Sequence, residues 1–217
     1  RSAGRLMRVV EMIKFAQKIA AGMALVASAG VAHAGLITVS DTTPGVVDRS
    51  SATRTLSVGT SGLVSDVDVT VDFSKCSASA TTAGCVGEGG STFNREIVFR
   101  LLFGGVTVNL VNEDTFSGQP DSTRVTQTYD DEAASLVGGA TLLTGSFRPV
   151  GTLGAFDGLD AQGDWTFFFQ DTVGADALVL HSVSLSITTE DAAGVPSPGT
   201  VALLGLGLLA LRLRTRS

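Results

Sequence analysis

Apolar and polar residues alternate with period two along much of the chain. In Val67-Asp68-Val69-Thr70-Val71-Asp72-Phe73 the odd positions are apolar and the even ones polar. One face of such a strand is buried and the other is wet. Ile97–Leu102 and Val106–Val111 flank Phe103-Gly104-Gly105 and read as a hairpin. Arg124–Thr128 is a further short strand. Trp165-Thr166-Phe167-Phe168-Phe169-Gln170 has the aromatic content of a central strand, with Trp165, Phe167 and Phe169 on one face. Leu178 and Leu180 share a phase, whereas Val183, Leu185 and Ile187 take the opposite one, so a bulge is predicted at His181-Ser182. Between the two ends of the chain no stretch sustains the 3.6-residue helical period. Many short strands with Gly-rich turns predict an all-β sandwich or jelly roll.

The ends read differently. Over 13–34, Lys14 and Lys18 precede an apolar and small-residue stretch from Ile19 to Val31, and Ala32-His33-Ala34 follows. A positive region, an apolar region and a small-x-small site make a secretory signal peptide with a helical core. Cleavage after Ala34 leaves Gly35 as the first mature residue. Met12 is a natural start, which makes 1–11 an upstream extension. At the other end an apolar helix is predicted over 200–211, followed by Arg212, Arg214 and Arg216. It is shorter than the ~20 residues a stable span needs, so it predicts a transient anchor, with the basic cluster on the cytoplasmic side.

Charge supports this division. The whole chain has a formal charge of -6, yet 35–194 carries seven Lys/Arg against twenty Asp/Glu. So acidic a domain is unsuited to a nucleic-acid groove, where cations must neutralise phosphates. The 217 residues suffice for one domain with tails. The expected division is a signal peptide over 1–34, a linker over 35–54, a sandwich over 55–190 and a sorting tail over 191–217.

Candidate chemistry is sparse. Cys76 and Cys85 lie in the Ser/Ala/Thr/Gly-rich stretch 74–94, with eight residues between them. In an exported protein they are expected to form a disulfide; a metal pair is the rival reading. His181 is the one histidine after signal removal, and adjacent strand residues point to opposite faces, so a Ser182–His181 relay is poorly placed. No nucleophile elbow, phosphate loop or zinc-protease motif occurs. No catalytic residues are assigned, and the chain is read as a non-enzyme. Asp157, Asp160, Asp164 and Asp171 are candidate ligands for calcium, which takes six to eight oxygens and is the one cofactor considered.

Two families are resembled. Val195-Pro196-Ser197-Pro198-Gly199-Thr200, the Leu/Gly-rich helix and the Arg-rich end resemble the PEP-CTERM sorting signal of Gram-negative bacteria, with Ser197 where that family usually has Glu. The resemblance implies recognition by an exosortase, transient inner-membrane anchoring and delivery to the cell envelope or the exopolysaccharide matrix. The span 55–188 resembles the P domain, or Homo B domain, of subtilisin-like proprotein convertases. The resemblance is carried by Val67–Val71, Glu96–Leu101 with Val106–Leu110, and Tyr129-Asp130-Asp131-Glu132-Ala133. It continues through Gly145-Ser146-Phe147-Arg148-Pro149, Leu153–Gly158 and Gly163-Asp164-Trp165-Thr166-Phe167, and closes on Ser182–Ile187. It implies a jelly-roll sandwich of about eight strands that does not cut. The function expected is a binding or structural module, contacting exopolysaccharide or a secreted subtilisin-like protease.

Overall fold

A computed structural model of the chain describes residues 35–86, 90–119 and 122–190. The signal-peptide positions Ala32 and Ala34, the sorting motif Val195–Gly199 and the cluster Arg212, Arg214 and Arg216 lie outside the described residues. Gly35 lies inside them and opens the first strand.

The described chain is all-β. Its strands are β1 (Gly35–Asp41), β2 (Gly45–Val47), β3 (Ser50–Val58), β4 (Leu63–Lys75), β5 (Ala80–Thr81) and β6 (Gly84–Cys85). They continue as β7 (Ile97–Phe103), β8 (Val106–Val111), β9 (Thr123–Tyr129), β10 (Gly145–Phe147), β11 (Gly163–Asp171) and β12 (Leu178–Glu190). Helical structure among the described residues is confined to short 3-10 turns at Asn94–Glu96 and Leu153–Phe156. One sheet runs β1-β12-β4-β9-β10, with β2 also on β12; a second runs β3-β11-β7-β8; β5 and β6 pair by themselves. The strands outnumber the eight or so expected.

The two larger sheets share one core. Val67, Val69, Val71 and Phe73 of β4 and Val183, Leu185 and Ile187 of β12 are buried with Trp165, Phe167 and Phe169 of β11 and Phe99 and Leu101 of β7. Phe99 bridges the layers. Its ring lies edge-on to Phe73 at 5.1 Å and to Tyr129 at 6.4 Å, both from the opposite sheet, and 5.5 Å from Phe167 in its own. Trp165 stacks on Phe103 at 3.9 Å and donates Nε1–H to Ala161 O at 2.9 Å, which satisfies its one polar atom. The bulge falls where the phase change predicts. Leu180 pairs Phe73, Ser182 pairs Asp72, and His181 has no register partner.

Residues 35–54, expected as a linker, instead form β1, β2 and the first half of β3. These strands lie at sheet margins. β1 packs only Ile37 and Val39 against the core, and β3 offers only Ala52 before Leu56 and Val58. An edge strand needs few apolar positions, so its pattern is faint in sequence.

Candidate functional site

Alternation that buries one face of the six-stranded sheet dictates what the other face shows. In register across five strands lie Ser40, Ser184, Thr70, Thr128 and Ser146. Thr70 and Thr128 share a hydrogen bond of 2.9 Å between their hydroxyls. Thr38, Ser186 and Asp68 form the next row, and Ser182, Asp72 and Thr126 the row on the other side. Neighbouring strands lie about 4.8 Å apart, so these side chains form a grid of hydroxyls and carboxylates.

The grid turns acidic at one corner. Asp68 of β4 lies near Asp66 of the same strand and near Asp130, Asp131 and Glu132, which follow β9, and Asp157 lies near Asp66 and Asp131. None of the six has a Lys or Arg partner within ion-pair distance among the described residues. Partial burial, with Asp66, Asp130, Glu132 and Asp131 adding repulsion, raises the Asp68 carboxyl to about 6. Asp157 is raised by burial and by Asp66 and Asp131. Asp131 accepts hydrogen bonds from Thr152 Oγ1 at 2.5 Å and Gly154 N at 2.9 Å. It also borders an open hollow of about 430 Å³, lined in addition by Leu136, Arg148, Pro149, Gly151 and Thr152.

The four aspartates considered for calcium do not converge. Asp157 sits at the acidic corner; Asp160 accepts from Ser61 Oγ at 2.8 Å and from the backbone of Gly62 and Gln162; Asp164 accepts from Ser57 Oγ at 2.7 Å. Asp171, just beyond the strand expected over Trp165–Gln170, is the last residue of β11 and fully buried. Asp164 and Asp171 lie near opposite ends of β11, seven residues apart, which separates them by about 23 Å. That donor set does not fit a calcium ion. Among the described residues no group of three or more His, Cys, Asp or Glu side chains is placed to hold a metal.

Asp171 belongs instead to a charge cluster between the sheets. Lys75, the last residue of β4, is fully buried; its Nζ lies 2.6 Å from Asp171 Oδ2, 3.2 Å from Glu96 Oε2 and 3.2 Å from Asp176 Oδ2. Nζ also donates to the Asp176 carbonyl. Burial raises Glu96 to about 7, against the pull of Lys75 and with repulsion from Asp176 and Asp171. Burial likewise raises Asp171 to about 6. The same burial opposes the Lys75 charge, but the three carboxylates outweigh it and hold the ammonium above its ordinary value. Lys75 was not singled out in sequence, although it continues the inward phase of Val67, Val69, Val71 and Phe73. Beside it, Cys76 and Cys85 form the expected disulfide.

His181 has a hydroxyl partner, though not Ser182. Its Nε2 lies 2.8 Å from Ser74 Oγ on β4. The hydroxyl belongs to a residue only 4% exposed. Asp72, the nearby carboxylate, is held in a bidentate pair by Arg124 Nε at 2.9 Å and Nη2 at 2.6 Å. Burial and Arg124 lower the ring's pKa.

No protein-family model matches the chain, and no curated protein matches it. Among solved structures it is similar to the crystal structure of dimeric latent PorU from Porphyromonas gingivalis, at 10% identity and a TM-score of 0.33. That alignment covers 76% of this chain and 14% of the other.

Proposed function

We propose that the chain is an exported, non-catalytic binding module of P-domain type, with a jelly-roll sandwich, sorted to the cell envelope or exopolysaccharide matrix. The signal at 13–34 carries it out, and an exosortase reads the tail from Val195 to Gly199 after transient anchoring. The observation that supports a binding role is the outward face of the six-stranded sheet, with its in-register row Ser40, Ser184, Thr70, Thr128 and Ser146. Rows of hydroxyl donors and acceptors complement the hydroxyls of a polysaccharide. The acidic corner repels an anionic polymer and favours a neutral or amino-sugar one. Ser74, His181 and Asp72 do not make a hydrolytic set in this reading, because the hydroxyl is buried and the carboxylate is already paired.

Affinity electrophoresis of the full chain through gels holding dextran, chitosan or alginate tests the binding. Dextran or chitosan should retard the protein, alginate should not, and Thr70→Val with Thr128→Val should abolish the retardation. Unchanged mobility in dextran and chitosan refutes the binding role. Mass spectrometry of the protein from culture medium, with termini near Gly35 and near Pro198, tests the export route separately.

The second reading is an accessory P domain acting in trans on a secreted subtilisin-like protease. The residue matches over 55–188 favour it. Its test is co-expression with such a protease lacking its own P domain: a longer protease half-life supports it, and no change removes it.

A further inference from the structure

The cluster around Lys75 has the composition and geometry for a condensation. Lys75 ends a strand of one sheet and Asp171 ends a strand of the other, so a bond between their side chains would tie the two layers together. Both residues are fully buried. In the sheets Lys75 pairs with Leu178 and Asp171 with Ile97, two fully buried apolar residues that help keep water from the pair. From Nζ to Asp171 Oδ2 is 2.6 Å, and one C–O bond adds at most about 1.2 Å, so Nζ stands within about 3.8 Å of the carboxyl carbon. That is close to the ~3–3.5 Å of a near-attack arrangement, in which effective molarities reach about 10⁵–10⁸ M. Glu96, 3.2 Å from Nζ, is positioned to move protons between the reacting groups.

We propose that Lys75 and Asp171 condense to an intramolecular isopeptide bond, with Glu96 as proton shuttle. The ammonium passes one proton to the Asp171 carboxylate along their hydrogen bond, leaving a neutral amine and a neutral acid. The Nζ lone pair adds to Cγ. Glu96 takes a second proton from Nζ and returns one to the departing hydroxyl, the Cγ–O bond breaks, and water leaves. Nζ keeps its last hydrogen as an amide N–H, with the Asp176 carbonyl as acceptor. Glu96 ends as it began, and no oxidant or co-reactant is needed. Glu96 is suited to this relay because burial brings it to about 7, where it both gives and accepts protons near neutrality. Condensation also removes a buried ion pair whose desolvation is costly.

A tryptic map of the full chain, after reduction and alkylation of Cys76 and Cys85, decides the matter. The expected product is a branched peptide joining Lys75 to Asp171, lighter by one water, with no cleavage after Lys75. Release of Thr55–Lys75 as an ordinary linear peptide overturns the proposal, as does a branch at Glu96 or Asp176. Peptide mapping is needed because Asp157-Gly158 could lose a water by cyclising to a succinimide. Glu96→Gln should yield free Thr55–Lys75 from a chain with unchanged circular dichroism. A cross-link surviving that substitution overturns the shuttle, and wild-type protein alone settles the bond should the variant fail to fold.

Discussion

Replacing Asp68 by Asn should stabilise the domain at neutral pH. Asp68 faces Asp66, Asp130, Asp131 and Glu132 from a half-buried position, and its carboxyl rises from 3.8 to about 6. A carboxyl raised on folding contributes stability that is full below its unfolded pKa and is lost as pH climbs through the folded one. The relevant window is therefore about pH 3.8 to 6. The rise corresponds to a ceiling of about 3 kcal/mol at pH 7. The side chain is only partly buried, and solvent screens the repulsion, so about 1 kcal/mol is the working value. Asn matches the protonated acid in shape and carries no charge at any pH. Urea unfolding of the full chain at pH 4 and pH 7 should show Asp68→Asn more stable by about 1 kcal/mol at pH 7, or about 2–4 °C in melting temperature, with little difference at pH 4. Raising the salt should shrink the gain. A variant less stable at pH 7, or one with an equal gain at both pH values, would show that the acidic corner is not a site of unrelieved repulsion.

Other expectations are separable. Phe99→Ala should cost about 3–5 kcal/mol in urea unfolding, whereas Phe168→Ala, which loses a cation–π contact with Arg100, should cost about 1 kcal/mol; equal losses would contradict the two-layer core. Cys76→Ser with Cys85→Ser should cost about 2–3 kcal/mol by the chain-entropy account, read as a lower urea midpoint under non-reducing conditions. The His181 ring should titrate below 6.5 by NMR, since burial and Arg124 disfavour its charge. Its contribution to stability is then full above the unfolded pKa and falls as pH drops through the lowered one. A midpoint above 6.5 would mean that Asp72 governs the ring.

What could be read in advance depended on how strongly burial marks a segment. β4, β11 and β12 are central strands whose inward side chains must all be apolar or paired, so Val67–Phe73 and Trp165–Phe169 announce themselves, as does the phase slip at His181. β1 and β3 are margins, and Gly35–Val58 has too few inward apolar residues to stand out from loop. The buried charge cluster was legible in principle. Lys75 lies two positions beyond Phe73 and Asp171 two beyond Phe169, so strict alternation sends both inward; a charge in an inward phase implies a partner of opposite sign. Other features needed the third dimension. The Ser74–His181 bond, the meeting of Asp157 with Asp66 and Asp131, and the dispersal of the four proposed calcium ligands follow from which strands become neighbours, and spacing along the chain does not report that.

Strand order has a temporal side. β12 lies between β1 and β4, pairing with Gly35–Asp41 at one flank and with nearly all of β4 at the other. Ribosomes deliver β12 after all eleven other described strands, so until residues 178–190 emerge the larger sheet has a gap at its middle, with β1 detached from the rest. Pairings so distant in sequence form slowly. In a nascent chain of this design the four-stranded sheet can be complete while the larger one still waits for its last described strand, so the two layers close over their shared core only at the end of synthesis.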